Sequence, residues 1–156
     1  MAEYSNNAVQ TINPGESVIF TDTTVPCTRG FVRHRDGTGN FILAGYVPYN
    51  TFGCSCNRDN GANYLIDFGA NIAVPTGETS GEISVAITVD GSTVPSSTMT
   101  VTPAAVEEYF NVSRAMNIDV FRGCCESVAI TNTSDISILM QNANIIITRP
   151  DLWVTR

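Results

Sequence analysis

Glu82-Ile83-Ser84-Val85-Ala86-Ile87-Thr88-Val89-Asp90 decides the fold class. Ile83, Val85, Ile87 and Val89 fall on one face of an extended chain, and Ser84 and Thr88 fall on the other, which is the period of two that a half-buried strand requires. Gly91 then turns the chain into Thr93-Val94 and a further extended run at 97–101, so a hairpin is expected. Upstream, 63–72 reads as a strand that breaks at Pro75-Thr76-Gly77. Residues 30–35 and 41–46 read as two strands around Asp36-Gly37-Thr38-Gly39-Asn40, and 17–21 alternates after the turn signal Asn13-Pro14-Gly15. Downstream, 109–121 sets Met116, Ile118 and Val120 against Asn117, Asp119 and Phe121; Gly123 turns it, and 126–132, 136–140 and 145–148 follow. Residues 103–109 offer the single short helical alternative, with Pro103 near the first helical position and Glu107 and Glu108 behind it.

Composition agrees. Among 156 residues there are 14 Ile, 15 Val and 18 Thr against 4 Leu, with 12 Ser and 14 Asn to supply turns. β-branched side chains lose rotamer freedom in helices and pack well on a pleated sheet. The expectation is an all-β domain of about eight to ten antiparallel strands, a sandwich, jelly roll or barrel, spanning residues 8–156 after a polar N-terminal arm at 1–7. No internal repeat is present, which argues against propellers and solenoids.

The formal charge is −7, all eight bases are arginine, and no basic run exists. Phosphate neutralisation needs a positive stripe, so neither nucleic acid nor an anionic membrane is expected as a partner. No apolar run reaches the roughly 18–20 residues of a membrane helix, and residues 1–7 lack both a positive and an apolar signal region. The chain is therefore expected to carry no signal peptide. Natural sheets often guard their edges with lysine; a lysine-free β protein must close the sandwich, bury edges against sister subunits, or use arginine and proline.

Candidate chemistry is sparse, and no cofactor is expected. Cys27, Cys54, Cys56, Cys124 and Cys125 lack the Cys-x2-Cys spacing of structural zinc. They read either as reduced thiols or as bridges from the Cys54/Cys56 segment to Cys27 or to a neighbouring chain, and the odd count leaves one thiol for inter-chain pairing. His34 is the single histidine. Strand alternation sets it opposite Arg33 and Arg35, so it reads as a structural strand residue, while Arg29, Arg33 and Arg35 are placed to bind carboxylates of this or an adjacent subunit. No Gly-x-Ser-x-Gly, phosphate loop or Asp-x-Asp-x-Asp run occurs. A two-acid glycosidase pair is set in space rather than in order, so sequence leaves it open. Asn111-Val112-Ser113 and Asn132-Thr133-Ser134 match the glycosylation sequon pattern, which the resemblance described below makes a chance match.

Longer motifs carry a resemblance. Phe68-Gly69-Ala70-Asn71-Ile72-Ala73-Val74-Pro75-Thr76-Gly77, residues 101–113, Asp119-Val120-Phe121-Arg122-Gly123-Cys124-Cys125 and Gln141-Asn142-Ala143-Asn144 together resemble the C-terminal domain of the collagen-like exosporium glycoproteins (BclA type), over roughly residues 8–149. The resemblance implies a jelly roll like that of tumour necrosis factor and the complement globular heads, assembled as a homotrimer and without chemistry of its own. Family members usually carry Gly-X-Y collagen repeats; none is present here, so the expectation is a head without its stalk.

On that reading the protein is a non-catalytic structural head on a spore surface (exosporium) or filament, whose partners are its own copies and a stalk, filament or particle surface. The alternatives are a virion decoration protein or a head that binds host receptors or glycans through the loop aromatics Tyr46, Tyr49 and Phe52. Gln141, Asn142 and Asn144, with Arg33 and Arg35, are the candidate trimer-interface residues. Buried amides need partners, which symmetry mates across a three-fold axis would supply; an edge or a bulge is the equally weighted alternative.

Overall fold

The computed structural model describes residues 1–45 and 61–150. Twelve strands occur among them: β1 (Ala2–Asn6), β2 (Gln10–Ile12), β3 (Asp22–Val25), β4 (Val32–His34), β5 (Phe41–Ala44), β6 (Gly61–Ala73), β7 (Ile83–Val89), β8 (Ser92–Thr93), β9 (Met99–Val101), β10 (Phe110–Phe121), β11 (Cys125–Asn132) and β12 (Ile138–Thr148). Helix among the described residues is confined to a 3-10 turn at Pro95–Ser97 and to Pro150, which is also in 3-10 conformation. Residues 103–109 form turns instead, because Glu107 adopts a left-handed backbone (φ 58°) and the Glu108 carboxylate accepts the Ala104 and Ala105 N–H groups.

Two antiparallel sheets face each other as a jelly-roll sandwich. The first runs β10-β6-β12-β1-β3, with β2 pairing the start of β12; the second runs β4-β5-β11-β7-β8, with β9 on β7. Alternation sends Tyr64, Ile66, Phe68 and Ile72 of the first sheet inward against Leu43, Val85, Ile87, Val128 and Ile130 of the second, all of them buried. The two layers are also tied by polar contact. The Tyr64 hydroxyl of β6 lies between the carbonyl oxygens of Ala44 (2.6 Å) and Phe31 (3.0 Å), and the Arg149 guanidinium, 1% exposed, sits 5.6 Å from the Tyr64 ring centroid.

The hairpin expected around Asp36-Gly37 is present. Gly37 takes φ 77°, which a side chain would strain, and β4 and β5 pair through Val32↔Leu43 and His34↔Phe41. Residues 17–21 form isolated bridges rather than a ladder strand, Ser17↔Thr131 and Phe20↔Thr38, although Val18 and Phe20 do point inward.

The expected polar arm at 1–7 is corrected: residues 2–6 are strand β1, paired on one side with β12 (Ala2↔Ile147 to Asn6↔Ala143) and on the other with β3. Ala2, Tyr4 and Asn6 face the core. None is aliphatic and branched, and Asn6 is buried only because its amide donates to Ile19 O (2.9 Å) while its Oδ1 accepts the Ala8 N–H (3.0 Å). An inward face closed by a side-chain amide leaves no hydrophobic period to read.

Candidate functional site

The outer face of the first sheet is built by the outward residues of β10, β6, β12 and β1. Register sets them in rows: Asn117, Leu65 and Thr148; then Ala115, Asp67, Ile146 and Glu3; then Ser113, Gly69, Asn144 and Ser5. Leu65 is 36% exposed although it lies on an interior strand. Amides lace the strands together: Asn144 donates to Glu3 Oε1 (2.8 Å), Asn63 to Asp119 Oδ1 (2.6 Å) and Asn111 to Asn71 Oδ1 (3.2 Å).

Gln141, Asn142 and Asn144 belong to this face or its border. The register of β12 on β6 shifts between Gln141 and Asn144, and Asn142 adopts φ 53°, a left-handed geometry that asparagine tolerates better than most residues. The polar run is therefore a bulge, and it lies in an interior strand rather than at an edge. Arg33 lies elsewhere, on β4, the edge strand of the second sheet; Arg33 and the adjacent Arg35 are exposed there. The structure thus does not gather the five proposed interface residues on one surface.

His34 is anchored rather than poised. Its Nδ1 lies 3.1 Å from Asn40 O, its Nε2 lies 3.3 Å from Phe20 O, and its ring stacks on Phe41 at 4.4 Å. Cys27 is a half-buried thiol whose Sγ accepts the Val32 N–H (3.4 Å), and Cys124 and Cys125 are exposed thiols at the β10–β11 turn. Cys54, Cys56, Tyr46, Tyr49 and Phe52 lie outside the described residues. Among the described residues no group of three His, Cys, Asp or Glu side chains is placed to hold a metal ion.

Glu126 on β11 is half-buried near Asp90 and Asp119, and burial first, then those two acids, raises its pKa above the ordinary glutamate value. The folded chain therefore binds this proton more readily than the unfolded chain, so the ionised group works against folding, and stability from this site is gained as pH falls through the raised pKa. Glu126→Gln is expected to raise stability at pH 7 by less than about 1 kcal/mol. Its stability should also change less than wild type between neutral pH and the carboxylate range, as measured by urea melts at both pH values.

A second feature, on the outer face of the second sheet, was not read as a site from sequence. An open groove of ≈ 480 Å³ has Thr88 and Ala129, each 5% exposed, and Thr131 as its floor. Its concavity comes from small outward side chains on β7 and β11, where Thr88 pairs with Ala129. One wall is the 15–18 segment, held along β11 by Val18 N–H to Ile130 O (2.8 Å) and Gly15 N–H to Asn132 O (2.9 Å). The other wall is the β7–β8 hairpin with Thr93. Asn132 is buried beneath one end and saturated: its amide donates to Ile12 O and Ile136 O (2.9 Å each) and its Oδ1 accepts the Ser134 N–H (2.8 Å). The available signal was the hydroxyl face of the 82–90 strand, Ser84 and Thr88, whose counterparts Ser127 and Thr131 recur on 126–132.

No protein-family model and no curated protein matches this chain in sequence. Among solved structures, the globular domain of zebrafish complement 1qA protein aligns over 93% of this chain and 94% of its own, with a TM-score of 0.53 at 12% identity. Weaker likenesses include the sugar-binding EclA C-terminal domain (TM-score 0.40, 11% identity, 92% of this chain and 79% of that one) and the family 35 carbohydrate-binding module of Paenibacillus barcinonensis (TM-score 0.36, 15% identity, 94% and 97%). What this chain shares with the complement domain is the jelly-roll fold.

Proposed function

We propose that this protein is a non-catalytic head that assembles as a homotrimer through the outer face of the β10-β6-β12-β1-β3 sheet and is displayed on a larger particle, a spore surface, filament or virion. The observation that carries the reading is an outward-facing aliphatic pair on interior strands, Leu65 exposed on β6 and Ile146 half-buried on β12, beside the small residues Ser113, Ala115 and Gly69 and the carboxylates Asp67 and Glu3. Small side chains allow a second sheet to approach closely, the two aliphatic residues gain from being covered, and the amides that already hold Glu3 (from Asn144) and Asp119 (from Asn63) offset part of the desolvation of those carboxylates. A lysine-free chain with exposed edge strands has the same need for cover. The anchored His34 supports the non-catalytic part of the reading, since both its ring nitrogens face backbone carbonyls.

Size-exclusion chromatography with light scattering tests this directly. The expected mass is about three times the 16.8 kDa chain at roughly micromolar concentration, and Leu65→Asp, a change at an already exposed position, is expected to weaken association by about 100-fold or more. A wild-type monomer at that concentration, or a trimer indifferent to Leu65→Asp and Ile146→Asp, would overturn it. Immunogold labelling of the native source distinguishes spores from virions.

A further inference from the structure

The groove on the opposite face carries a separate inference. Its floor is a chain of hydroxyls in hydrogen-bond contact. Thr88 Oγ1 lies 3.2 Å from the obligate acceptor Ala129 O; with its one proton directed there, the 3.0 Å contact between Thr88 and Thr131 takes its proton from Thr131, and the 3.4 Å contact between Thr131 and Ser17 takes its proton from Ser17. A hydroxyl has one proton and two lone pairs. In that arrangement Thr88 and Thr131 direct their protons along the chain and keep acceptor capacity toward the groove.

Donors stand on the rim. The Asn40 amide and the Ser127 and Thr93 hydroxyls line the same groove, and the described residues offer these side chains no hydrogen-bond partner. A complementary ligand must donate to the floor and accept from the rim. Phosphate and carboxylate ligands only accept, and the groove lining holds no basic residue to neutralise them, while Asp90 stands beside Ser127, accepting its N–H at 2.7 Å. An extended peptide finds no strand edge to join, because β7 and β11 are both paired on two sides. An apolar ligand finds only Ala129.

We propose that this groove is a binding site for a neutral saccharide of one or two rings, read by its hydroxyl groups. The volume lies within the roughly 300–1,000 Å³ of small-molecule sites, and the groove's open, aromatic-free lining sets the affinity near the millimolar class. The site is on the sheet opposite the proposed self-association face and does not depend on it.

Saturation-transfer NMR on the full chain tests this with the methyl glycosides of glucose, galactose, mannose and N-acetylglucosamine. Their permethylated forms, which accept but cannot donate, and glucuronate serve as counter-probes. At least one neutral glycoside is expected to bind, and the counter-probes are expected not to. Thr131→Val keeps the β-branched shape and should weaken binding about tenfold by removing a floor acceptor; Thr93→Ala, exposed and outside the core, should weaken it several-fold. Thermal melts verify that both variants are folded. Absence of transfer from all four glycosides at roughly 50 mM overturns the proposal. So does equal binding of a permethylated form, or binding unchanged in both variants.

Discussion

Phe41→Ala is expected to destabilise the fold by about 3–5 kcal/mol, the cost of a large aromatic deleted from a closed core. Phe41 is 0% exposed at the start of β5, and three rings surround it: Tyr4 at 5.0 Å, Phe20 at 5.2 Å and His34 stacked at 4.4 Å. Tyr4 comes from the first sheet and Phe41 and His34 from the second, so the cluster joins the two layers near one end. Both transfer free energy and the cavity left behind contribute, with aromatic pairing adding roughly 0.5–1.5 kcal/mol per contact. Urea denaturation at fixed protein concentration, which holds any association term constant, measures it. A loss below about 1.5 kcal/mol would mean that the surrounding rings collapse into the space and that the cluster is not rigid.

Gly45→Ala is expected to have a comparable effect for the opposite reason, excess volume at a backbone crossing. Gly45 follows β5 directly and its N–H donates to Cys124 O (2.8 Å). A Cβ there would lie 2.7 Å from Cys124 O and would penetrate the carbonyl oxygen of Phe121. Both obstacles are backbone, so no rotamer change relieves them; the β10–β11 turn must move and the hydrogen bond must break. About 3 kcal/mol or more is expected, at the upper end of overpacking effects. Gly81→Ala is the internal control. Its added Cβ meets nothing within 4 Å and its backbone is not left-handed, so the change should be neutral or stabilising by roughly 0.4–1 kcal/mol through the unfolded chain. Equal stabilities for the two variants would show that the turn yields freely.

The long ladders were legible because their residues obey alternation locally. Ile83, Val85 and Ile87 in 83–89, Val112, Ile118 and Val120 in 110–121, and Val128 and Ile130 in 125–132 point inward on alternating positions, and each segment is a strand in the structure. Where polar groups close the core, the reading failed: β1 is inward-facing through Ala2, Tyr4 and Asn6, and it was taken for an arm. Short β2 and two-residue β8 carry too few residues for any period to register. The cysteine and arginine expectations were compositional, and composition does not say which sheet a residue joins.

The all-β class and the inward faces of the long strands were determined by sequence alone, because alternation is a property of residues two positions apart. The sites depend on residues far apart in the chain. Ser17 meets Thr131 across 114 positions and Asn132 holds Ile12 across 120, and only sheet register brings Asn144 to Glu3 across 141. The groove exists because small hydroxyl side chains from β7 and β11 stand side by side beneath a segment from the N-terminal part of the chain. Pairing of that kind is decided by which strands bury their apolar faces together, a choice made by the whole core and written in no single stretch of it.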